Sequence, residues 1–151
     1  MIVNDVTVRP LSGEDLSDVS CMEKAYFSHP WSYEDIQKSL NDPYTVFYVA
    51  CTEKEIRGYI GLRFGMDTAD ILTICVAEKY RHCGIGGKLL TEAIQRVREW
   101  ELDPLFLDVR ESNLPARRLY ESFGFTALTV RKNYYRDPVE DAVVMIKEIK
   151  S

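Results

Sequence analysis

The chain has 151 residues, of which 46% are hydrophobic and 28% charged, a balance typical of a globular protein rather than a disordered one. It carries 19 basic and 24 acidic residues, and this net charge of −5 argues against a general nucleic-acid binder, which needs a basic surface. No apolar run approaches the roughly 18 residues of a membrane span, and no secretory signal is visible. We therefore expect a cytoplasmic protein without a membrane or direct nucleic-acid partner, forming one domain over residues 1–151.

The first half of the chain predicts a short strand, two helices and an antiparallel meander. The strand is expected at 7–10, and a helix over 13–27 follows from apolar residues at helical spacing. Ser32, with Asp35 three residues on, has the pattern of a capping box that starts a second helix ending near Asn41. Aromatic and β-branched runs joined by short turns then predict three antiparallel strands, at 44–51, 58–64 and 71–76.

The second half has a different order of elements. A long amphipathic helix is expected over 84–100, followed by an apolar strand at 105–109. The next helix, at 114–123, has Asn113 as its N-cap, and Gly124 suits the left-handed position after its end. Two final strands are expected, at 125–130 and 142–149. This order predicts an α+β fold with a mixed sheet, in which the meander is followed by helix, strand, helix, strand and strand.

Cysteine and histidine usage gives no sign of a metal site. The four cysteines form no Cys-x-x-Cys pair, and the two histidines are too few and too scattered for a metal cluster. We expect no structural metal and no disulfide. Cys51 and Cys75 lie in apolar runs, so they are expected to be core thiols.

The negative charge is concentrated in the first third of the chain. Residues 1–50 carry eight acids against three bases, whereas the remaining residues are balanced. Two interpretations stay open: a solvated helix face, or a surface that attracts a cationic substrate.

A glycine-rich loop with the sequence R-H-C-G-I-G-G-K occupies residues 81–88, between a strand and the long helix. Glycines let the backbone approach a ligand, and free N–H groups at a helix start favour an anion such as a pyrophosphate. A P-loop is excluded by His82 and Leu89, and a dinucleotide fingerprint would need glycine at position 89. Taken alone, the loop could also be a glycine-softened turn.

A second motif lies some thirty residues further on. The pattern N-x-x-A-x-x-x-Y-x-x-x-G-F begins at Asn113, and the pattern R-x-x-G-x-G begins at Arg81. Together, in this order and on these elements, they resemble the GNAT family of acyl-CoA-dependent N-acetyltransferases over nearly the whole chain. The resemblance implies a single GNAT-like domain with a splayed mixed sheet.

Shorter runs narrow the resemblance to one branch of that family. H-P-W-S from His29, L-D-V-R from Leu107 and R-K-N-Y-Y from Arg131 look like the ribosomal-protein alanine N-acetyltransferases (RimI type). The resemblance implies transfer of an acetyl group from acetyl-CoA to the N-terminal α-amine of a small-subunit ribosomal protein. The transfer would be direct, in a ternary complex, and we expect the enzyme to be a monomer or a weak dimer.

The resemblance also implies which residues hold acetyl-CoA. Backbone groups of residues 74–76 would meet the pantetheine arm, the glycine loop would wrap the pyrophosphate, and Asn113 would hydrogen-bond the cofactor from the far side. The implied binding residues are Ile74, Cys75, Val76, Arg81, His82, Cys83, Gly84, Ile85, Gly86, Gly87 and Asn113.

Acetyl transfer to an amine needs a proton acceptor and a proton donor. Tyr120 matches the family's tyrosine acid, although a tyrosine there is also a common packed aromatic. Asp108 stands where the family has glutamate; because it is one methylene shorter, a water could be needed to complete the relay. A lone carboxylate in an apolar strand is costly unless it faces a cleft or a partner, which favours function. Glu23 and Glu111 are reserve candidates.

Several aromatic residues are candidates for binding the acceptor. Trp31, Tyr33, Tyr134 and Tyr135 could line a peptide groove or cover the edge of the core. Two other functions stay open: a GNAT enzyme whose acceptor is a lysine or a small-molecule amine, and a module that binds acyl-CoA without turnover. The departure at Asp108 is the only support for the second.

Overall fold

The computed structural model describes residues 5–150. Its helices are α1 (Leu16–Tyr26), α2 (Tyr33–Ser39), α3 (Ile85–Glu99) and α4 (Leu114–Ser122), with 3-10 turns at Gly13–Asp15 and Glu78–Tyr80. Its strands are β1 (Thr7–Pro10), β2 (Thr45–Cys51), β3 (Ile56–Phe64), β4 (Ala69–Val76), β5 (Leu105–Arg110), β6 (Thr126–Tyr135) and β7 (Glu140–Lys147). The order of elements is the predicted one.

The seven strands form one mixed sheet in the order β1-β2-β3-β4-β5-β7-β6. All neighbours are antiparallel except β4 and β5, which are parallel and pair only through Ala69 with Leu105 and Asp70 with Phe106. Beyond these two residue pairs, the structure records no further pairing between β4 and β5 within residues 5–150. The predicted α+β fold with a splayed mixed sheet is confirmed.

Helices cover both faces of the sheet. The apolar side of α3 packs on β2, β3 and β4. It buries Ile85 and the five residues whose spacing predicts the helix: Leu89, Leu90, Ala93, Ile94 and Val97. On the opposite face, α1 and α2 bury Leu16, Val19 and Ile36 against Phe47 and Tyr59. Burial of these apolar side chains supplies the main stabilisation of the fold.

Ser32 and Asn113 cap α2 and α4 as predicted, although of the capping box expected at Ser32 the structure records only the hydrogen bond to the Ser32 hydroxyl. The Ser32 hydroxyl accepts a hydrogen bond from the Asp35 N–H at 3.0 Å, and the Asn113 side-chain oxygen accepts one from the Ala116 N–H at 3.3 Å. Gly124 follows α4 with a φ of +93°, a conformation that glycine adopts without steric cost.

Several predicted boundaries differ from the structure, among them the starts of β3 and β4, each two residues earlier than expected. The helix expected over 13–27 is divided into a 3-10 turn and α1, and the last strand begins two residues earlier than expected. The largest error concerns β6, which was expected to end at Val130 but continues to Tyr135. The polar run after Val130 has no alternation, yet pairing with β7 keeps it extended. The predicted domain also included residues 1–4 and 151, which lie outside the described residues.

The cysteines are all free thiols, and Cys51 and Cys75 are buried as predicted. Among residues 5–150, none of the helices combines the length and the apolar character that crossing a membrane would require.

Gly61 tests how closely the central strands are packed. A Cβ atom at this position would lie 2.7 Å from two ring carbons of buried Phe47, its partner on β2. We expect Gly61→Ala to lower the free energy of unfolding by about 1–3 kcal/mol, because the ring has to move within a close-packed core. Urea unfolding measures this change.

Gly13→Ala is the matched control, since a Cβ atom there meets nothing within 4 Å. We expect it to change stability by less than about 0.5 kcal/mol. Equal stability of the Gly61→Ala and Gly13→Ala proteins would contradict the packing argument.

Candidate active site

A cavity of about 640 Å³ opens where β4 and β5 separate. Residues from β4, β5, β6, the end of α1, the α1–α2 connection and α4 line it. Among the predicted site residues, the lining includes Trp31, Ile74, Asp108, Asn113, Tyr120, Tyr134 and Tyr135, together with the reserve candidate Glu23. The fold therefore brings both predicted catalytic residues, Asp108 and Tyr120, and the acceptor-binding candidates Trp31, Tyr134 and Tyr135 to one cavity.

Asp108 lines this cavity as an exposed residue of β5. Its neighbours Leu107 and Val109, which also belong to the lining, are buried, because side chains alternate along a strand. The side chain is 31% exposed, and its carboxylate lies 3.5 Å from the Arg131 guanidinium. A lone carboxylate in an apolar strand was expected to need either a cleft or a charged partner. Asp108 has both, the cavity and Arg131.

Tyr120 is both a packed aromatic and a cavity residue. It is 6% exposed, and its ring makes an edge-to-face contact with Phe125 at 6.0 Å. Burial raises the pKa of Tyr120 well above the ordinary value for tyrosine. The phenol therefore stays protonated at neutral pH, which is the state that a proton donor needs.

Glu23 lies in the wall of the cavity, and its carboxylate is hydrogen-bonded to other residues of the protein. It is 1% exposed and accepts hydrogen bonds from the Tyr59 hydroxyl (2.7 Å), the Thr73 hydroxyl (2.9 Å) and the Trp31 N–H (2.9 Å). These contacts connect α1 to β3, β4 and the α1–α2 connection. The other reserve candidate, Glu111, is exposed and is not among the residues that line the cavity.

Tyr134 and Tyr135 both line the cavity although they are consecutive residues of one strand. Regular alternation would send them to opposite faces. Asn133, directly before them, has a φ of +52°, and the pairing of β6 with β7 shifts register between Arg131 and Tyr135. Beside this bulge the two rings make an edge-to-face contact at 5.1 Å.

The bulge is a feature that sequence reasoning missed. Its signal was present, because asparagine is one of the few residues other than glycine that tolerates the left-handed region. Asp141 on β7 holds the Asn133 N–H with its carboxylate at 2.8 Å. This contact depends on pairing between the two strands.

The two remaining aromatic candidates, Trp31 and Tyr33, differ in whether they line the cavity. The Trp31 ring makes an edge-to-face contact with Phe47 at 5.8 Å, so it belongs both to the core edge and to the cavity. Tyr33 begins α2, is exposed, and is not among the cavity residues.

The charge of Asp108 acts on two nearby groups, of which only Asp70 was not singled out from the sequence. Burial and the charge of Asp108 raise the pKa of Asp70 above its ordinary value. The same two causes raise the pKa of Tyr135 to about 12. Asp70 pairs with Phe106 at the point where β4 and β5 begin to separate, so its proximity to Asp108 is a consequence of sheet topology.

The glycine loop stands at the start of α3, outside the lining of the cavity. His82 and Gly84 both have positive φ angles, of 64° and 83°. The Arg81 side chain folds back, donates to the Val76 carbonyl at 3.2 Å, and lies over the Tyr26 ring at 5.0 Å. The loop is therefore attached both to the end of β4 and to α1.

The loop has the donors that a pyrophosphate needs. The N–H groups of Ile85, Gly86 and Gly87 are the first of α3 and have no intrahelical acceptor. With the positive end of the helix dipole they suit an anion. A Cβ atom on Gly86 would lie 2.9 Å from a methyl group of Leu119, so glycine allows the close approach of α3 and α4 at this point.

Cys75 and Asn113, two further residues implied to bind acetyl-CoA, could each contact it with only some of their polar groups. Burial raises the pKa of the Cys75 thiol to about 11, so the side chain is a core group and only the backbone is suited to contact a ligand. The Asn113 side-chain oxygen caps α4, which leaves its amide N–H groups for a ligand in the cavity. These residues are compatible with acetyl-CoA.

Part of the negative charge of the first third is structural. Asp15 pairs with Arg9 at 2.7 Å, Glu23 is buried, and Asp42 accepts hydrogen bonds from the Tyr44 N–H and the Thr45 hydroxyl. The acids that remain exposed on or beside α1 and α2 are Glu14, Asp18, Glu34 and Asp35.

Comparison with known proteins agrees with this geometry. The model of the acetyltransferase (GNAT) family matches residues 15–125. The ribosomal protein bS18-alanine N-acetyltransferase of Haemophilus influenzae is 35% identical over 119 residues, which cover 77% of this chain and 80% of that protein.

Solved structures show the same fold. The crystal structure of the ribosomal-protein-S18-alanine N-acetyltransferase from Escherichia coli superposes with a TM-score of 0.87 at 28% identity, over 97% of this chain and 95% of that one. A GNAT family acetyltransferase from Elizabethkingia anophelis with acetyl-CoA bound gives a TM-score of 0.77 at 25% identity, over 96% and 99% of the two chains.

Asn133 gives a direct test of the bulge that precedes the two tyrosines. We expect Asn133→Val to lower the free energy of unfolding by about 1–2 kcal/mol, since a β-branched residue is strained at this positive φ. Asn133→Gly, the matched control, keeps the conformation accessible and should stay within about 0.5 kcal/mol of the native protein.

Urea unfolding measures both changes, and near-ultraviolet circular dichroism reports the packing of Tyr134 and Tyr135. An Asn133→Val protein with native stability and a native tyrosine spectrum would show that the strand does not depend on this conformation.

Proposed function

Since this chain belongs to the acetyltransferase (GNAT) family, we propose that it acetylates the N-terminal alanine of a small-subunit ribosomal protein, with acetyl-CoA as the donor. The observation that carries the proposal is the cavity between β4 and β5. A carboxylate, Asp108, and a protonated buried phenol, Tyr120, face the same space, and the aromatic pair Tyr134 and Tyr135 lines it with them.

The proposed reaction needs a base that accepts a proton from the α-amine of the acceptor. An α-amine has a pKa of about 7.7–8.0, so a base in the cavity has to remove one proton from a group that is partly neutral already. We assign this role to Asp108, acting directly or through one water. Its carboxylate lies 3.5 Å from the Arg131 guanidinium.

Acetyl-CoA, when bound, supplies the acetyl group as a thioester. The residues proposed to hold it are the backbone of Ile74–Val76, the glycine loop and the Asn113 amide. Tyr120 would give its phenolic proton to the sulfur that leaves, which its raised pKa permits because the proton is present throughout the neutral range. Transfer is then direct, from the bound donor to the bound amine.

The acceptor is proposed to enter along the aromatic side of the cavity. Trp31, Tyr134 and Tyr135 offer apolar surface for the first residues of an extended chain end. Exposed acids on α1 and α2 lie on the neighbouring helices and suit a basic protein such as a ribosomal one. A cytoplasmic location follows from this acceptor, because ribosomal proteins are made there.

The acceptor is tested with two short peptides. One begins with a free alanine, and the other is its N-terminally blocked copy carrying a lysine. We expect acetyl-CoA turnover, followed as thiol release, only with the free N-terminus. Turnover only with the blocked copy would show that the acceptor is a lysine. No turnover with either peptide would overturn the proposed acceptor.

The catalytic roles are tested by single-atom changes. We expect Tyr120→Phe and Asp108→Asn each to lower kcat by about 10²–10⁴-fold, the usual contribution of a positioned acid or base. Tyr44→Phe and Asp67→Asn are the matched controls, because both residues are exposed and outside the cavity. An effect of the controls as large as that of the cavity variants would contradict these assignments.

The pH profile separates the two groups. We expect kcat/KM to rise until about pH 8 as the α-amine loses its proton, and then to stay level to at least about pH 10, because burial raises the pKa of Tyr120 above its ordinary value near 10. An alkaline limb below about pH 10 that disappears in Tyr120→Phe would show that the phenol ionises earlier.

A further inference from the structure

Arg110, at the end of β5, makes four hydrogen bonds with its guanidinium. One terminal nitrogen donates to the Pro138 carbonyl at 3.0 Å and to the Glu140 carboxylate at 3.2 Å. The other donates to the Ser28 hydroxyl at 3.1 Å and to the Arg136 carbonyl at 2.9 Å. Arginine suits this arrangement because its donors are fixed in a planar fork.

The partners of Arg110 belong to two segments far apart in the sequence. Ser28 lies in the α1–α2 connection, and the others lie in or beside the β6–β7 turn. The Ser28 hydroxyl also donates to the Arg136 carbonyl at 3.0 Å, so the two segments touch directly. Arg110 completes a closed set of hydrogen bonds across this contact.

The same guanidinium reaches the proposed acceptor side of the cavity. It lies 4.6 Å from the centre of the Tyr135 ring, at cation–π distance. Arg110 also stands two residues after Asp108, on the same face of β5. One side chain therefore ties together the catalytic strand, an aromatic residue of the cavity and two bordering segments.

A second connection runs toward α4. The Glu140 carboxylate that accepts from Arg110 also accepts from the Ser112 N–H at 2.6 Å. Ser112 directly precedes Asn113, the N-cap of α4, which is the helix that holds Tyr120. The hydrogen bonds of Glu140 are thus shared between the β6–β7 side of the cavity and the start of the helix with the proposed acid.

We infer that Arg110 is a positioning residue for the acceptor: it holds the α1–α2 connection against the β6–β7 turn and closes one end of the acceptor cleft. A chain end needs only one exit from a cleft, whereas a lysine within a chain needs room for backbone on both sides. Closure at one end therefore favours an N-terminal amine. This inference rests on the proposed function for its kinetic consequence and on the geometry alone for its structural one.

The structural consequence is tested by hydrogen exchange of the free protein. Arg110→Lys keeps the charge but replaces a planar fork by one ammonium group, which cannot reach both segments in the same way. We expect amides of residues 27–31 and 136–140 to exchange about tenfold faster, while those of α3 keep their native rates. Unchanged exchange in both segments overturns the inference, whatever the acceptor proves to be.

The kinetic consequence is a difference between the two substrates. We expect Arg110→Lys to raise KM for the alanine peptide about tenfold and to change KM for acetyl-CoA less than about twofold, because the hydrogen bonds of Arg110 go to residues 28 and 136–140 and not to the glycine loop. The ratio of turnover on the free N-terminus to turnover on the blocked lysine peptide should fall. An equal rise in both KM values overturns the inference.

Arg96→Gln is the matched control. Arg96 has a similar exposure, 30% against 24%, but its ion pairs with Glu92 and Glu99 lie within α3. We expect it to leave loop exchange and both KM values unchanged. A peptide KM raised as much by Arg96→Gln as by Arg110→Lys would overturn the inference.

Ser28→Ala keeps the test possible if the Arg110 variants do not fold. It removes only the exposed hydroxyl between the two segments, and we expect faster exchange in the same two segments. Where both fold, the double variant should lose less than the sum of the single changes, since the two side chains share partners. If exchange is faster in the variants but the unmutated protein does not acetylate the alanine peptide, the contact between the two segments is supported and the proposed acceptor is overturned.

Discussion

The separation of β4 from β5 is the constraint on which the rest of the structure depends. The two strands are parallel, so a crossover must connect them, and α3 supplies it. They pair through only two residues each and then diverge. The divergence leaves the far edge of β4 open at Ile74–Val76, opens the cavity, and brings the start of α3 against α4 at Gly86. The cofactor, the proton donor and the acceptor are all proposed to meet in this gap.

The walls of the gap are held by polar groups whose partners come from distant parts of the chain. Glu23 satisfies hydroxyl groups on β3 and β4 and one N–H of the α1–α2 connection. Arg110 ties that same connection to the β6–β7 turn. A buried polar group is tolerated only when its hydrogen bonds are formed, so the contacts of Glu23 favour one arrangement of the cavity over looser ones, and the four hydrogen bonds of Arg110 act in the same direction.

The electrostatics of the cavity separate the proposed acid from the proposed base by environment. Tyr120 is packed against Phe125 and keeps its proton because burial disfavours the phenolate. Asp108 reaches the cavity from an open strand face beside Arg131. The proposed acid and the proposed base therefore stand in different surroundings, one packed in the core and the other beside a guanidinium.

Most of the architecture could be predicted from local patterns, because capping side chains, apolar spacing and turn residues act within a few positions. Ser32, Asn113 and Gly124 mark helix ends in the sequence and in the structure alike. The sequence also singled out Asp108 and Tyr120, as a lone acid in an apolar strand and as part of a motif. Only the tertiary structure decided that Asp108 pairs with Arg131 and that the Glu23 carboxylate is hydrogen-bonded within the cavity wall. It also decided that Arg110 links the α1–α2 connection to the β6–β7 turn. These outcomes depend on which strands lie side by side, and long-range pairing brings together residues whose separation in the sequence carries no information about contact.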